Sequence, residues 1–212
     1  MVGRTKNMIK NSYPGKFIVF EGLDGSGQST QVSFLRDFLI SKGIGVVATK
    51  EPTIDSNAGK KIRQILDEKE KADPKILQEL FVQDRQEHLD NVIFPALKEG
   101  KFVISDRYFF STFAFGASDG LDLEWLIKMN DNFLLPDQTF ILNTSPETCV
   151  RRIEQRGIPV TLFEKKEKLS RVWKTYAIMP DRFENTLIID GEGTKGEVFK
   201  NVKKIITEKF LI

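Results

Sequence analysis

The segment Gly22-Leu23-Asp24-Gly25-Ser26-Gly27-Gln28-Ser29-Thr30 follows directly on the apolar run Phe17–Phe20. Glycines in such a turn let backbone N–H groups point inward at phosphate oxygens, and the helix that follows adds the positive end of its dipole. The hydroxyl of Ser29 is placed to ligate Mg2+ carried by a nucleotide. The segment meets each fixed position of the phosphate-loop pattern G-x-x-x-x-G-K-[ST] except the lysine, where Gln28 stands. Glutamine donates hydrogen bonds to phosphate but carries no charge. Phosphoryl transfer rests on positioning and on electrostatic stabilisation of the transferring group, so a missing cation must be replaced or cost rate. The bland alternative is a plain glycine-rich turn between strand and helix.

Other candidate groups lie further along the chain. In Arg151-Arg152-Ile153-Glu154-Gln155-Arg156-Gly157 three arginines run from a helix into a loop, where they could close over phosphates as a lid or simply form a solvated face. Asp106-Arg107-Tyr108 follows the apolar run Phe102–Ser105. An aspartate at a strand end can hold Mg2+ or its waters, and Arg107 beside it can grip a second phosphate, unless the two form a structural ion pair. Phe81 and Arg85 are four apart on an expected helix, hence on one face, and could stack on and hydrogen-bond a base. Read alone, Phe81 is an ordinary core residue. His88, the single histidine, reads as a surface or helix-packing residue with no metal-ligand cluster around it. Cys149, the single cysteine, excludes an intrachain disulfide and reads as a buried, inert thiol.

These groups need a scaffold. Phe17–Phe20, Val46–Thr49, Phe102–Ser105, Thr139–Leu142 and Leu187–Asp190 read as short, nearly continuous apolar strands, the pattern of a parallel sheet covered on both faces. Helical patterns lie between them. Asp73-Pro74 marks one helix start, and Val198, Val202, Ile205 and Ile206 mark a last helix. The expected fold is therefore α/β: a doubly wound, five-stranded parallel sheet with helices on both faces. Residues 1–15 read as a frayed tail and 16–212 as one domain, with the lid at about 151–165. Ligands bind at the carboxyl ends of such strands, where Gly22–Thr30, Glu51-Pro52 and Asp106-Arg107 fall. A net charge of +2 argues against bulk nucleic-acid binding. No apolar stretch approaches the ~20 residues of a membrane span, so a cytoplasmic protein is expected.

Together the segments resemble the thymidylate kinases, nucleoside monophosphate kinases that convert dTMP to dTDP with ATP and Mg2+. The resemblance runs from about Lys16 to the C-terminus. It rests on Phe20-Glu21-Gly22-Leu23-Asp24-Gly25-Ser26-Gly27, Lys50-Glu51-Pro52-Thr53, Phe81 to Arg85, Ser105-Asp106-Arg107-Tyr108 with Ser111, and Arg152 to Gly157. By position it implies that Gly22 to Thr30 hold the ATP phosphates and that Asp24 faces the dTMP sugar and phosphate. It implies Glu51, Pro52, Ser111 and Thr112 around dTMP, with Thr112 reading the thymine edge. Phe81 would stack on thymine, Arg85 contact the base, and Phe115 lie beneath the sugar. Arg107 would bind the dTMP phosphate, with Ser29 and Asp106 near Mg2+. Arg152 and Arg156 would belong to the lid, Arg156 also near adenine, and these two with Asp24 and Arg107 would carry catalysis. A homodimer is implied too.

Four departures stand out. Gln28 replaces the loop lysine, and Lys50 stands where arginine is common, losing its bidentate fork. Phe115 stands in place of the usual tyrosine, and Thr161-Leu162-Phe163-Glu164 in place of Asp-Arg-Phe-Glu. They leave room for a kinase of another pyrimidine monophosphate, dUMP or UMP, or for a nucleotide-binding protein with little turnover.

Overall fold

Apolar strands demand cover on both faces, and the computed structural model, which describes residues 8–67, 69–155 and 162–212, provides it for the three central strands of its sheet. Along the chain run β1 (Ile9–Lys10), β2 (Lys16–Gly22), α1 (Gln28–Ser41), β3 (Val46–Lys50), α2 (Asn57–Leu66) and α3 (Pro74–His88). A π-helical turn (Leu89–Ile93) leads into α4 (Phe94–Lys98), β4 (Phe102–Asp106), α5 (Phe109–Ser118) and α6 (Leu123–Met129). Then come β5 (Leu134–Leu135), β6 (Gln138–Asn143), α7 (Pro146–Glu154), α8 (Leu162–Ala177), α9 (Met179–Arg182), β7 (Thr186–Asp190) and α10 (Lys195–Phe210). β3, β4, β2, β6 and β7 form one parallel sheet in that order, and they contain the five expected strands. Asp73 caps α3 by accepting from Lys75 N, with Pro74 as the first helical residue, as its sequence signal requires.

Alternation along β2 divides the core. Phe17 and Val19 face the layer of α5 and α8, against Phe109, Phe113, Val172 and Tyr176. Ile18 and Phe20 face α1 and α10, against Leu35, Leu39, Val202 and Ile206. Burying each such side chain fully stabilises the fold by roughly 1.5–3 kcal/mol. The next inward position on the α5 side is not apolar but Glu21, fully buried.

β2 lies between β4 and β6, so the loop after it opens where the strand order reverses, the usual ligand crevice of an open α/β sheet. Asp106 of β4 is in register with Phe20 of β2 and Lys50 of β3, which brings three polar clusters to one level.

The expected frayed tail is corrected for residues 8–15. Met8 is buried, Ile9–Lys10 pairs in parallel with Leu134–Leu135, and Asn11 Nδ2 donates to Asp137 Oδ2 at 2.6 Å. The same oxygen accepts from Phe17 N at 2.7 Å, so this segment is tied to the start of β2. No helix among the described residues is long and apolar enough to cross a membrane.

Candidate active site

β2 delivers the glycine loop at Gly22, whose φ is 148°. A Cβ at Gly25 would sit 2.6 Å from the carbonyl oxygen of Cys149, so only glycine lets the loop pass under α7. Gly27, at φ 107°, is the N-cap of α1, whose first turn has neither an acidic residue nor a side-chain cap. That open N-terminus is the anion-binding end of a helix. Gln28 does not turn toward it. Its side chain is buried, and Nε2 donates to the carbonyl oxygen of Gly22 at 2.8 Å, bracing the loop against its own entry strand.

Ser29 Oγ donates to Asp106 Oδ2 at 2.5 Å, and Lys50 Nζ lies 3.8 Å from the same oxygen. A hydroxyl and one carboxylate fit Mg2+, which keeps much of its shell for water and phosphate oxygens. Among the described residues no group of three or more histidines, cysteines or acidic residues could hold a metal ion. On the outer side of the loop Arg152 donates to the carbonyl oxygens of Ser26 at 3.2 Å and Gly191 at 3.3 Å. It borders a 640 Å³ cavity with Gly27, Thr30, Gly191 and Thr194. Arg156 lies outside the described residues, so the expected lid of 151–165 is represented here only in part, by Arg152 at the loop.

Across Asp24 from the loop lies a second cavity of 250 Å³, lined by Lys50, Glu51, Pro52, Phe81, Arg85, Arg107, Ser111, Thr112 and Phe115. The structure thus brings together every expected acceptor-side residue. It adds several that sequence reading missed: Arg63, Gln78, Asp119 and Lys168 also line the cavity. Arg107 sits at its mouth with φ 75°, a left-handed conformation that costs a non-glycine residue roughly 1–3 kcal/mol. The backbone is held there by Arg107 N donating to Phe20 O at 2.9 Å and by Ser105 Oγ donating to Arg107 O at 2.7 Å. The guanidinium donates to Asp24 Oδ1 at 2.8 Å and Ser111 Oγ at 2.9 Å and stacks 5.3 Å over the Phe115 ring. Burial works against its charge, but Asp24, Tyr176, Glu21 and Asp106 outweigh burial and raise its pKa, so it stays a cation.

Glu21 underlies this arrangement. Its carboxylate accepts from Tyr108 N at 2.8 Å, Ser111 N at 3.2 Å, Ser111 Oγ at 2.5 Å and Tyr176 OH at 2.9 Å. It therefore supplies the negative cap that α5 lacks from its own N-cap residue. Burial pushes the carboxyl up to about 7, against the pull of Arg107 and of these hydrogen bonds. The signal was present in the sequence: an acid at the inward position of an apolar central strand needs partners.

The floor of the cavity is a buried network. Arg85 donates through Nε to Glu51 Oε2 at 2.9 Å, and its Nη2 lies 2.8 Å from the same oxygen. Nη1 reaches Asn130 Oδ1 at 2.5 Å and Nη2 reaches Thr112 Oγ1 at 3.2 Å. The guanidinium lies 5.1 Å from the Tyr108 ring centroid and 5.6 Å from that of Phe133. Glu51 Oε1 is 3.1 Å from His88 Nδ1, and His88 Nε2 is 2.6 Å from Thr49 Oγ1. His88 is thus neither at the surface nor a mere packing residue: it closes a buried polar chain. Asp84, also missed, accepts from Thr53 N at 2.8 Å and from the hydroxyls of Thr53 and Ser56 at 2.5 Å, which pins the loop after β3. Cys149 is buried, as expected, and burial pushes its thiol up to about 12.

A parallel sheet that delivers a glycine loop to a helix N-terminus, with a second arginine-guarded pocket across Asp24, defines a phosphate-loop nucleotide-binding domain with room for two ligands. The family model described as thymidylate kinase matches residues 20–202. A "probable thymidylate kinase" of Pyrococcus horikoshii is 39% identical over 203 residues, covering 93% of this chain and 98% of that protein. A thymidylate kinase of Desulfotalea psychrophila is 42% identical over 160 residues, covering 75% of this chain and 79% of its own. One from Caldicellulosiruptor saccharolyticus is 37% identical over 207 residues, covering 92% and 97%. The chain belongs to the thymidylate kinase family.

Proposed function

We propose that this chain phosphorylates dTMP to dTDP with ATP. An oxygen of the acceptor phosphate bonds to the γ-phosphorus as the bond from that phosphorus to the β–γ bridging oxygen breaks, and ADP leaves. The accepting phosphate is already an anion at neutral pH, so no general base is needed. Backbone N–H groups of Gly22 to Thr30 cradle the donor phosphates, with Arg152 on that side. Arg107 holds the acceptor phosphate, Asp24 faces its sugar, and Phe81 and Phe115 wall the base and sugar. Thr112, Arg85, Ser111, Glu51 and Pro52 shape the remainder. Mg2+, held by Ser29 and Asp106, would neutralise charge on the transferring group when bound.

The observation that carries the reading is Arg107. It is a cation held by Asp24 and Ser111 at the mouth of the second pocket, on the side facing the glycine loop. A protein that only binds ATP needs no such second phosphate site. The Mg2+ requirement, a homodimer and a cytoplasmic location go with this reading and rest on the family, while the near-neutral net charge keeps nucleic acid out of it. The test is ADP formation from ATP and Mg2+ with dTMP, dUMP or UMP as acceptor. Turnover is expected with dTMP in preference to the other two. Preference for UMP, or no acceptor-dependent ADP, would overturn the reading.

A further inference from the structure

The glycine loop from Gly22 to Thr30 contains no lysine or arginine, and the amide of Gln28, in the lysine position, is spent on the carbonyl of Gly22. Three arginines near the crevice are already engaged by other groups. Arg85 is buried in its pair with Glu51. Arg107 is engaged by Asp24 and Ser111 on the acceptor side. Arg152 is engaged by two backbone carbonyls, that of Ser26 within the loop and that of Gly191 beyond it.

Lys50 differs from all three. It ends β3, in register with Asp106, and its ammonium lies 3.8 Å from the Asp106 oxygen that also accepts from Ser29. Its side chain is 56% exposed, so it is free to swing on its four-carbon stem. It borders two cavities at once: the 930 Å³ groove containing Ser29 and Asp106, and the 250 Å³ pocket containing Asp24 and Arg107. Arg63 borders both as well, from α2, but among the described residues Lys50 alone is ion-paired with Asp106.

We infer that Lys50 supplies, from the end of β3, the ammonium that the phosphate loop lacks, and that it binds the transferring phosphoryl group between the two nucleotides. The two departures at Gln28 and Lys50 then form one exchange. The phosphate-binding point charge has moved from the loop to the neighbouring strand end, and a lysine there does what a lysine in the loop does. This inference rests on the kinase reading above.

The test is a double-mutant cycle on the full chain: wild type, Lys50→Met, Gln28→Lys, and both together. ADP formation from ATP, Mg2+ and dTMP is measured beside the affinity of ADP with aluminium fluoride and dTMP, which mimics the transferring group without turnover. Lys50→Met is expected to lower kcat roughly 100-fold, the order seen for loss of one preorganised charge-stabilising donor, with little change in KM for dTMP. It should weaken the aluminium fluoride complex by a similar factor and leave the affinity for dTMP alone unchanged. Gln28→Lys is expected to rescue the Lys50→Met chain to within about tenfold of wild type, because coupled groups are not additive. Equal losses in both backgrounds would overturn the role of Lys50 while leaving the kinase standing. So would rescue of Arg63→Met, but not of Lys50→Met, by Gln28→Lys. Absence of dTMP-dependent turnover in wild type would overturn the kinase reading, and the role of Lys50 with it. Melting temperatures separate these results from misfolding: exposed Lys50 should give none, and a collapse of the Gln28→Lys chain directs the rescue to Gln28→Arg.

Discussion

The acceptor pocket and the phosphate loop are built by opposite means. Around the acceptor pocket, charged side chains are buried and satisfied: Arg85 against Glu51, Asn130 and Thr112, and Glu21 against Tyr108, Ser111 and Tyr176. The loop carries no cation: apart from the acid Asp24 it is glycine and neutral side chains, and the Lys50 ammonium beside Asp106 is largely exposed. A buried ion pair is a poor source of net stability but is costly to break from one side, so it fixes geometry. An exposed lysine fixes little and is easily moved in evolution. On the proposed reading, the pocket that would recognise one substrate is fixed by buried pairs, and a loop that would bind phosphate through its backbone tolerates the exchange of its cation.

The sharpest way to break this contrast is Arg85→Met. It leaves Glu51 buried without its cation, and the expected loss is about 3–5 kcal/mol of stability, read by urea unfolding. A loss below about 1 kcal/mol, as for a surface pair, would show that the floor of the pocket is not rigid in the sense argued. Arg107→Ala is expected to act on function instead. It should lower kcat/KM for dTMP by roughly 10²–10³ while ADP affinity survives, as befits a cation of the acceptor side. Equal loss of both ligands would make Arg107 a structural residue.

The contrast also sorts what was legible in the sequence. The five strands could be read because each is a short apolar or β-branched run, a property of the run itself, although only the three central ones are buried on both faces and the edge strands β3 and β7 are partly exposed. The loop and the start of α3 could be read because glycine, proline and a capping aspartate act on their own neighbours. The acceptor floor could not be assembled, because its contacts join residues far apart in sequence. Arg85 meets Asn130 across 45 positions and Glu21 meets Tyr176 across 155. Nor could β1 and β5 be seen, since two residues carry no periodicity. Gln28 was legible as a missing charge but not as a brace, because its partner, Gly22, is a backbone carbonyl.

Glu21 offers a pH test of the rigid side. Burial holds its folded pKa at about 7, above the ordinary glutamate value of 4.5. Between those values the folded chain binds the proton more tightly than the unfolded chain, so this group's contribution to stability is largest at acid pH and falls as pH rises through the window. The slope is at most about 1.4 kcal/mol per pH unit. Unfolding wild type and Glu21→Gln at pH 5 and pH 8 isolates it. Wild type should lose stability relative to the variant on going to pH 8. A constant difference would mean that Glu21 ionises in its ordinary range despite its burial.

The smallest effect expected is at Gln28. If its side chain braces the loop, Gln28→Ala removes one buried hydrogen bond and should cost about 1 kcal/mol of stability. ADP affinity should change little, because the phosphate cradle is backbone and the cation lies elsewhere. Urea unfolding and ADP titration of the same variant separate the possibilities. Unchanged stability with tenfold weaker ADP binding, about 1.4 kcal/mol, would mean that the amide leaves Gly22 and turns to phosphate when nucleotide arrives. The loop would then share the side-chain recognition of the acceptor pocket, and the contrast between the two regions would narrow to a difference in burial alone.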